Sequence, residues 1–72
     1  MKQAVWQRGN RRYAAMVQQN LFGEWVLHRE WWGTASHCHG RKTSRFTSYD
    51  AAAMAFTMVA NRRASRGYQP LL

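Results

Sequence analysis

The sequence predicts an α+β domain: a small antiparallel sheet of about four strands, with one helix from the C-terminal half packed on it. Three observations lead there. Residues 25–33 read Trp-Val-Leu-His-Arg-Glu-Trp-Trp-Gly, a run of strand-forming character that a glycine closes. Residues 12–18 alternate, with Tyr13, Ala15 and Val17 on one side, and Asn20-Leu21-Phe22-Gly23 then offers a hairpin connection to the next run. Residues 49–63 contain neither glycine nor proline and follow Ser48, a good helix N-cap.

Taken in order, residues 3–7 suit a short first strand, and Arg8-Gly9-Asn10 is a turn signal. The second strand is 12–18. The third, from Glu24 to Trp32, sets Trp25, Leu27, Arg29 and Trp31 on one face and Val26, His28, Glu30 and Trp32 on the other. Two adjacent tryptophans on a strand must face opposite ways, so with Trp25 and Leu27 in the core Trp32 points outward, unless a bulge at Gly33 shifts the register. Residues 34–40 read as a small polar loop, and residues 41–46 as a last strand with Arg41, Thr43 and Arg45 on one face. Lys42 and Arg45 there also guard an edge against further pairing. In the helix, Tyr49, Ala52, Phe56, Val59 and Ala60 form the inward stripe. Asp50 suits its first turn, and Arg62, Arg63 and Arg66 suit its end. Gly67 stops it and Pro70 lies beyond. Trp6 reads as a lid on the small core.

Seventy-two residues allow a single domain, 1–72. Four Trp, three Phe and three Tyr supply a dense core for so short a chain. The charge is lopsided: 11 Lys and Arg against 3 Asp and Glu, for a formal net charge of +8. Nine of the eleven cations are arginine, which forks onto phosphate and stacks on bases better than lysine does. This balance points to a polyanionic partner, nucleic acid before anionic membrane, because the basic residues gather at one helix end instead of along an amphipathic face. The single cysteine, Cys38, the lack of a membrane-length apolar run and the lack of a secretory leader lead to a cytoplasmic expectation.

Chemistry beyond binding finds little support. Three acidic residues leave no paired-carboxylate site, Cys38 has no oriented base in its pattern, and there is no glycine-rich phosphate loop. An enzyme is not expected, nor a cofactor. His37-Cys38-His39 holds three metal-ligand types in one loop, but no second pair of ligands lies elsewhere, so an ordinary polar loop is the expectation there.

The ordered set Arg12-Tyr13, Leu21-Phe22-Gly23-x-Trp25-x-Leu27-x-Arg29-Glu30-Trp31, Gly40-Arg41, Phe46, the Ser48-capped helix with Ala52 and Phe56, Arg62-Arg63 and Gly67-Tyr68 resembles the WGR domain, over roughly residues 12–68. WGR domains occur in DNA-dependent poly(ADP-ribose) polymerases and as short bacterial proteins. The resemblance implies an antiparallel sheet with one helix, and a nucleic-acid-binding role with DNA ahead of RNA. The name-giving turn departs from the family. Whether Trp31 or Trp32 is matched to the family tryptophan, the arginine is absent. Arg29, Arg41 and Arg45 lie near enough in sequence to replace it. The expected interface is Trp31, Trp32, Arg29, Arg41, Lys42, Arg45, Arg62, Arg63 and Arg66, with phosphates neutralised by the cations and a tryptophan stacking at the loop end of the sheet. The alternative expectation is a protein-interaction module, docking on a DNA-metabolising partner without touching nucleic acid itself. Met54 and Met58 on the outer side of the helix suit that role.

Overall fold

A computed structural model of the chain describes residues 2–33 and 39–71. Five strands form one antiparallel sheet: β1 (Lys2–Arg8), β2 (Arg11–Gln19), β3 (Trp25–Gly33), β4 (His39–Phe46) and β5 (Gln69–Pro70), with helix α1 (Tyr49–Ser65) between β4 and β5. The strand order is β4-β3-β2-β1-β5. The α+β class and the single helix of the C-terminal half are as expected, and four main strands carry the sheet.

The differences lie at the margins. The first strand begins at Lys2 and runs to Arg8, and β4 begins at His39, so His39 and Gly40 belong to the sheet and not to the connecting loop. The short β5 has no sequence signal of its own. Gln69 and Pro70 pair with Gln7 and Trp6, and the Leu71 N–H donates to the Val5 carbonyl at 2.7 Å. An edge strand tolerates the proline, which has no N–H to place in a ladder.

The register of β3 against both neighbours is unbroken from Trp25 onward, without a bulge. The two faces of the sheet therefore separate cleanly. One face carries Trp6, Tyr13, Ala15, Val17 and Leu27, which form the core with Ala52 of α1. Packed around them are Trp25, Trp31, Phe46, Tyr49, Phe56, Val59, Ala60 and Tyr68. Val17, at the centre, is wholly buried. Trp6 is a core residue and not a lid, set edge-on to Tyr13 at 6.2 Å between centroids. Trp25 meets Tyr49 edge-on at 5.0 Å. These aromatic contacts let a short chain hide much apolar area behind one helix.

The helix is capped at both ends. Ser48 Oγ accepts from the Ala51 N–H at 3.1 Å, and Asp50 lies in the first turn. Ser48→Ala should cost about 1 kcal/mol, lowering the thermal midpoint by roughly 4–8 °C for a chain of this size; calorimetry checks this. At the other end Gly67, at φ +85°, donates to the Ala64 carbonyl, and the Tyr68 N–H donates to the Arg63 carbonyl. This is a Schellman closure, which needs a residue at ease in the left-handed region. It ends the helix at Ser65, with Arg66 as the cap and Gly67 as the stop the sequence marks. It also fixes Arg63 and Tyr68 beside each other.

Candidate nucleic-acid interface

The helix does not cover the whole of its side of the sheet. Its last turn ends over Tyr13, where the Arg63 guanidinium carbon lies 4.1 Å from the ring centroid and 5.1 Å from that of Tyr68. Trp31, paired with Tyr13 across β2 and β3, stacks on the same ring at 5.6 Å and 14°. Arg63, Tyr13 and Trp31 thus form one cation–aromatic assembly. Beyond it the β3–β4 end of this face is uncovered and carries Arg29, which is opposite Lys42 in register, and Trp31, which is opposite Gly40.

Gly40 makes room for the indole. A Cβ at that position would stand 2.3 Å from Trp31 Cε2 and Nε1. The glycine of the Gly40-Arg41 pair is thus required by close approach, and it lets Trp31 lie flat along β4.

A cleft of about 590 Å3 opens at this end of the sheet. Five arginines line it, Arg11, Arg12, Arg29, Arg63 and Arg66, interleaved with Tyr13, Trp31, Trp32 and Tyr68. No acidic residue lines it. Arg12, Arg29 and Arg63 each bury a side-chain Nε–H that has no hydrogen-bond acceptor among the described residues. Such donors are costly in a protein interior, and here all three belong to one cleft. Arg29 opposite Lys42 is also a like-charge cross-strand pair, an arrangement that destabilises a sheet.

Two of the chain's three acids are engaged elsewhere. On the opposite, open face of the sheet, Arg41 Nη2 donates to Glu30 Oε2 at 3.1 Å, His39 Nε2 lies 3.8 Å from the same oxygen, and Arg45 Nη1 lies 4.0 Å from Glu24 Oε1. The third, Asp50, is in the first turn of the helix.

The expected interface residues therefore divide. Arg29, Trp31, Trp32, Arg63 and Arg66 come together at the cleft, and Lys42 stands beside it across from Arg29. Arg41 and Arg45 lie on the open face with carboxylate partners, and Arg62 is exposed on the last helical turn outside the cleft lining. Trp32 belongs to the open face, in register between Arg12 and His39, and borders the cleft at the sheet end. Tyr13 and Tyr68 were not among the expected site residues: alternation marks Tyr13 as core, which it also is, and Tyr68 follows the helix stop. Arg11 and Arg12 were outside the expected interface too, and their pairing with Gly33 and Trp32 brings them to the cleft.

The expectation about His37-Cys38-His39 rests on residues 37 and 38, which lie outside the described residues. Among the described residues, no group of three His, Cys, Asp or Glu is placed to hold a metal ion, and no helix is long and apolar enough to cross a membrane. No family model, curated protein or solved structure matches the chain.

Proposed function

We propose that the chain is a nucleic-acid-binding module of the WGR kind, that the cleft between the sheet end and the helix C-terminus is its binding surface, and that DNA is its first ligand. The observation that carries this reading is the segregation of charge. The cleft gathers five arginines around four aromatic rings with no carboxylate, while Glu24 and Glu30 pair with arginines on the other face. Uncompensated arginine forks suit phosphate oxygens, and neighbouring indole and phenol rings suit bases or sugars. Arg29 and Lys42 repel each other in the free chain, and a phosphate between them would relieve that repulsion.

Fluorescence anisotropy with a labelled short duplex, over 50 to 300 mM salt, tests the proposal. With about four to six phosphate contacts, log affinity should fall with log salt at a slope of about −4 to −5. A salt-independent interaction, or none at low salt, would overturn it. The protein-docking alternative draws on one specific observation, the exposure of Met54 and Met58 on the outer side of α1. Partner capture that survives nuclease, with no binding to plain oligonucleotides, would favour that alternative.

A further inference from the structure

The largest apolar exposure in the described chain is at the β2–β3 turn, far from the cleft. Leu21 and Phe22 are 101% and 88% exposed. The turn beneath them is rigidly built. Asn20 Oδ1 accepts from the Phe22 and Glu24 N–H groups at 2.9 Å each, and Asn20 Nδ2 donates to Glu24 Oε1 at 3.1 Å. The Asn20 N–H donates to the Glu24 carbonyl, the Gly23 N–H to the Asn20 carbonyl, and Gln19 Nε2 to the Gly23 carbonyl. Two large apolar side chains are therefore held out in water by a preorganised scaffold, a state a monomer has no reason to maintain.

The tip is continuous with the open face of the sheet. A hollow of about 440 Å3 runs from Leu21 and Phe22 along Val26 to His28 and Thr43. A second hollow, about 450 Å3, shares His28 and Thr43 and is floored by Val5, Ala14 and Met16. Ala14 is the reason for this depression, a small residue between Val5 and Glu30 in register. The charged side chains that the open face gives the two hollows, Glu24–Arg45 and Glu30–Arg41, are already paired, and Arg29, which also lines the second, belongs to the helix face. In a chain of net charge +8, this is the surface on which a second copy meets least repulsion. Glu24 and Glu30 also disfavour a nucleic acid or an anionic membrane there.

We propose that the open face and the Leu21-Phe22 tip form the contact between two copies of this chain. A two-fold axis across the sheet near the Gln18–Val26 row, midway between the tip and Ala14, sets each tip over the other copy's Ala14 hollow. Both insertions then form at once and the contact closes on itself. The overlap spans four strands about 4.8 Å apart and several rows about 3.3 Å apart. That gives roughly 400 Å2 of flat face per copy, somewhat more with its relief, against about 800 Å2 for a stable interface. The dimer is accordingly weak, with a dissociation constant of about 10–100 μM, at the weak end of the range for specific association. Both clefts remain outward in it, so this inference does not depend on what they bind.

Sedimentation velocity of nucleic-acid-free protein at 0.3 M salt, from 5 to 500 μM, tests it. A shift from monomer to dimer across that range is expected. Leu21→Ser with Phe22→Ser should weaken the dimer at least tenfold while leaving the thermal midpoint at 5 μM unchanged, since neither side chain contributes to the core. Ala14→Lys should do the same by filling the hollow with charge, whereas Met58→Glu should leave association intact. A chain still monomeric at 500 μM overturns the proposal. So does a dimer indifferent to the tip variant, one that loses association with the tip variant but not with Ala14→Lys, or one dissociated by Met58→Glu.

Discussion

Replacing Arg29 and Arg66 together by alanine is expected to lower affinity for a short DNA duplex about 100-fold at 50 mM salt. Each side chain lines the cleft on a different element, Arg29 on β3 and Arg66 just past the helix, so their losses should be close to additive. A charge-assisted contact to phosphate contributes about 1.5 kcal/mol, and two of them amount to roughly a hundredfold. The salt slope should fall by about 2, one unit for each lost phosphate contact. Arg41→Ala with Arg45→Ala is the matched control. It removes the same formal charge, but from residues on the far face whose carboxylate partners are in place. Affinity should then change less than threefold. Anisotropy titrations of both double variants at two salt concentrations distinguish a local cleft from a diffuse charge effect, because a diffuse effect would make the two pairs equivalent.

The control pair also shows where reading the sequence reaches its limit. Alternation along residues 25–33 correctly opposes Trp31 and Trp32, and a period of two placed Arg29 with Trp31 on the core side. Which residues of β4 face them depends on the β3–β4 register, which has no signature in the sequence. With Arg29 opposite Lys42, the same alternation turns Arg41 and Arg45 to the open face, beside Glu30 and Glu24. Proximity in sequence therefore grouped side chains that the sheet separates. Conversely, Arg11 and Arg63 lie far apart in sequence. They share the cleft because the Gly67 closure places the last helical turn over Tyr13, two residues along β2 from Arg11. The helix itself was legible because its signals are local: the Ser48 cap, the Ala52-Phe56 stripe and the glycine stop. β5 was not, since two residues pairing with β1 obey no periodicity.

The division of the sheet into two electrically different faces follows from the same alternation. On β3 the helix side carries Arg29 without an acid, and the open side carries Glu30. On β4 the partners are Lys42 and Arg41 respectively. One residue of register slip would set Arg29 against Arg41 or Thr43, and Glu30 against Gly40 or Lys42. The alternation of β3 keeps the acid on the open face, and the β3–β4 register is what brings Arg41 opposite Glu30. Gly40 helps to hold it, because only there does β4 leave room for the Trp31 ring.

Gly40→Ala should therefore destabilise the fold by about 2–3 kcal/mol. The new Cβ would lie 2.3 Å from the indole, and the ring has no free end to swing away, since its other neighbour is Tyr13. Overpacking of this kind costs about 1–3 kcal/mol, and displacing the Tyr13–Trp31 stack adds about 0.5–1.5 kcal/mol. The thermal midpoint should fall by about 10–20 °C. A double-mutant cycle identifies the cause. In a Trp31→Ala background the methyl group meets empty space, so the further substitution Gly40→Ala should cost less than about 0.5 kcal/mol, the level of independent sites. An equal loss in both backgrounds would place the strain in the β4 backbone instead of the indole. DNA affinity supplies the functional counterpart. Gly40→Ala displaces Trp31 and with it the ring that supports Arg63 over Tyr13, so affinity should drop even at temperatures where the variant is fully folded. Trp31→Ala should produce a comparable drop by removing the ring outright.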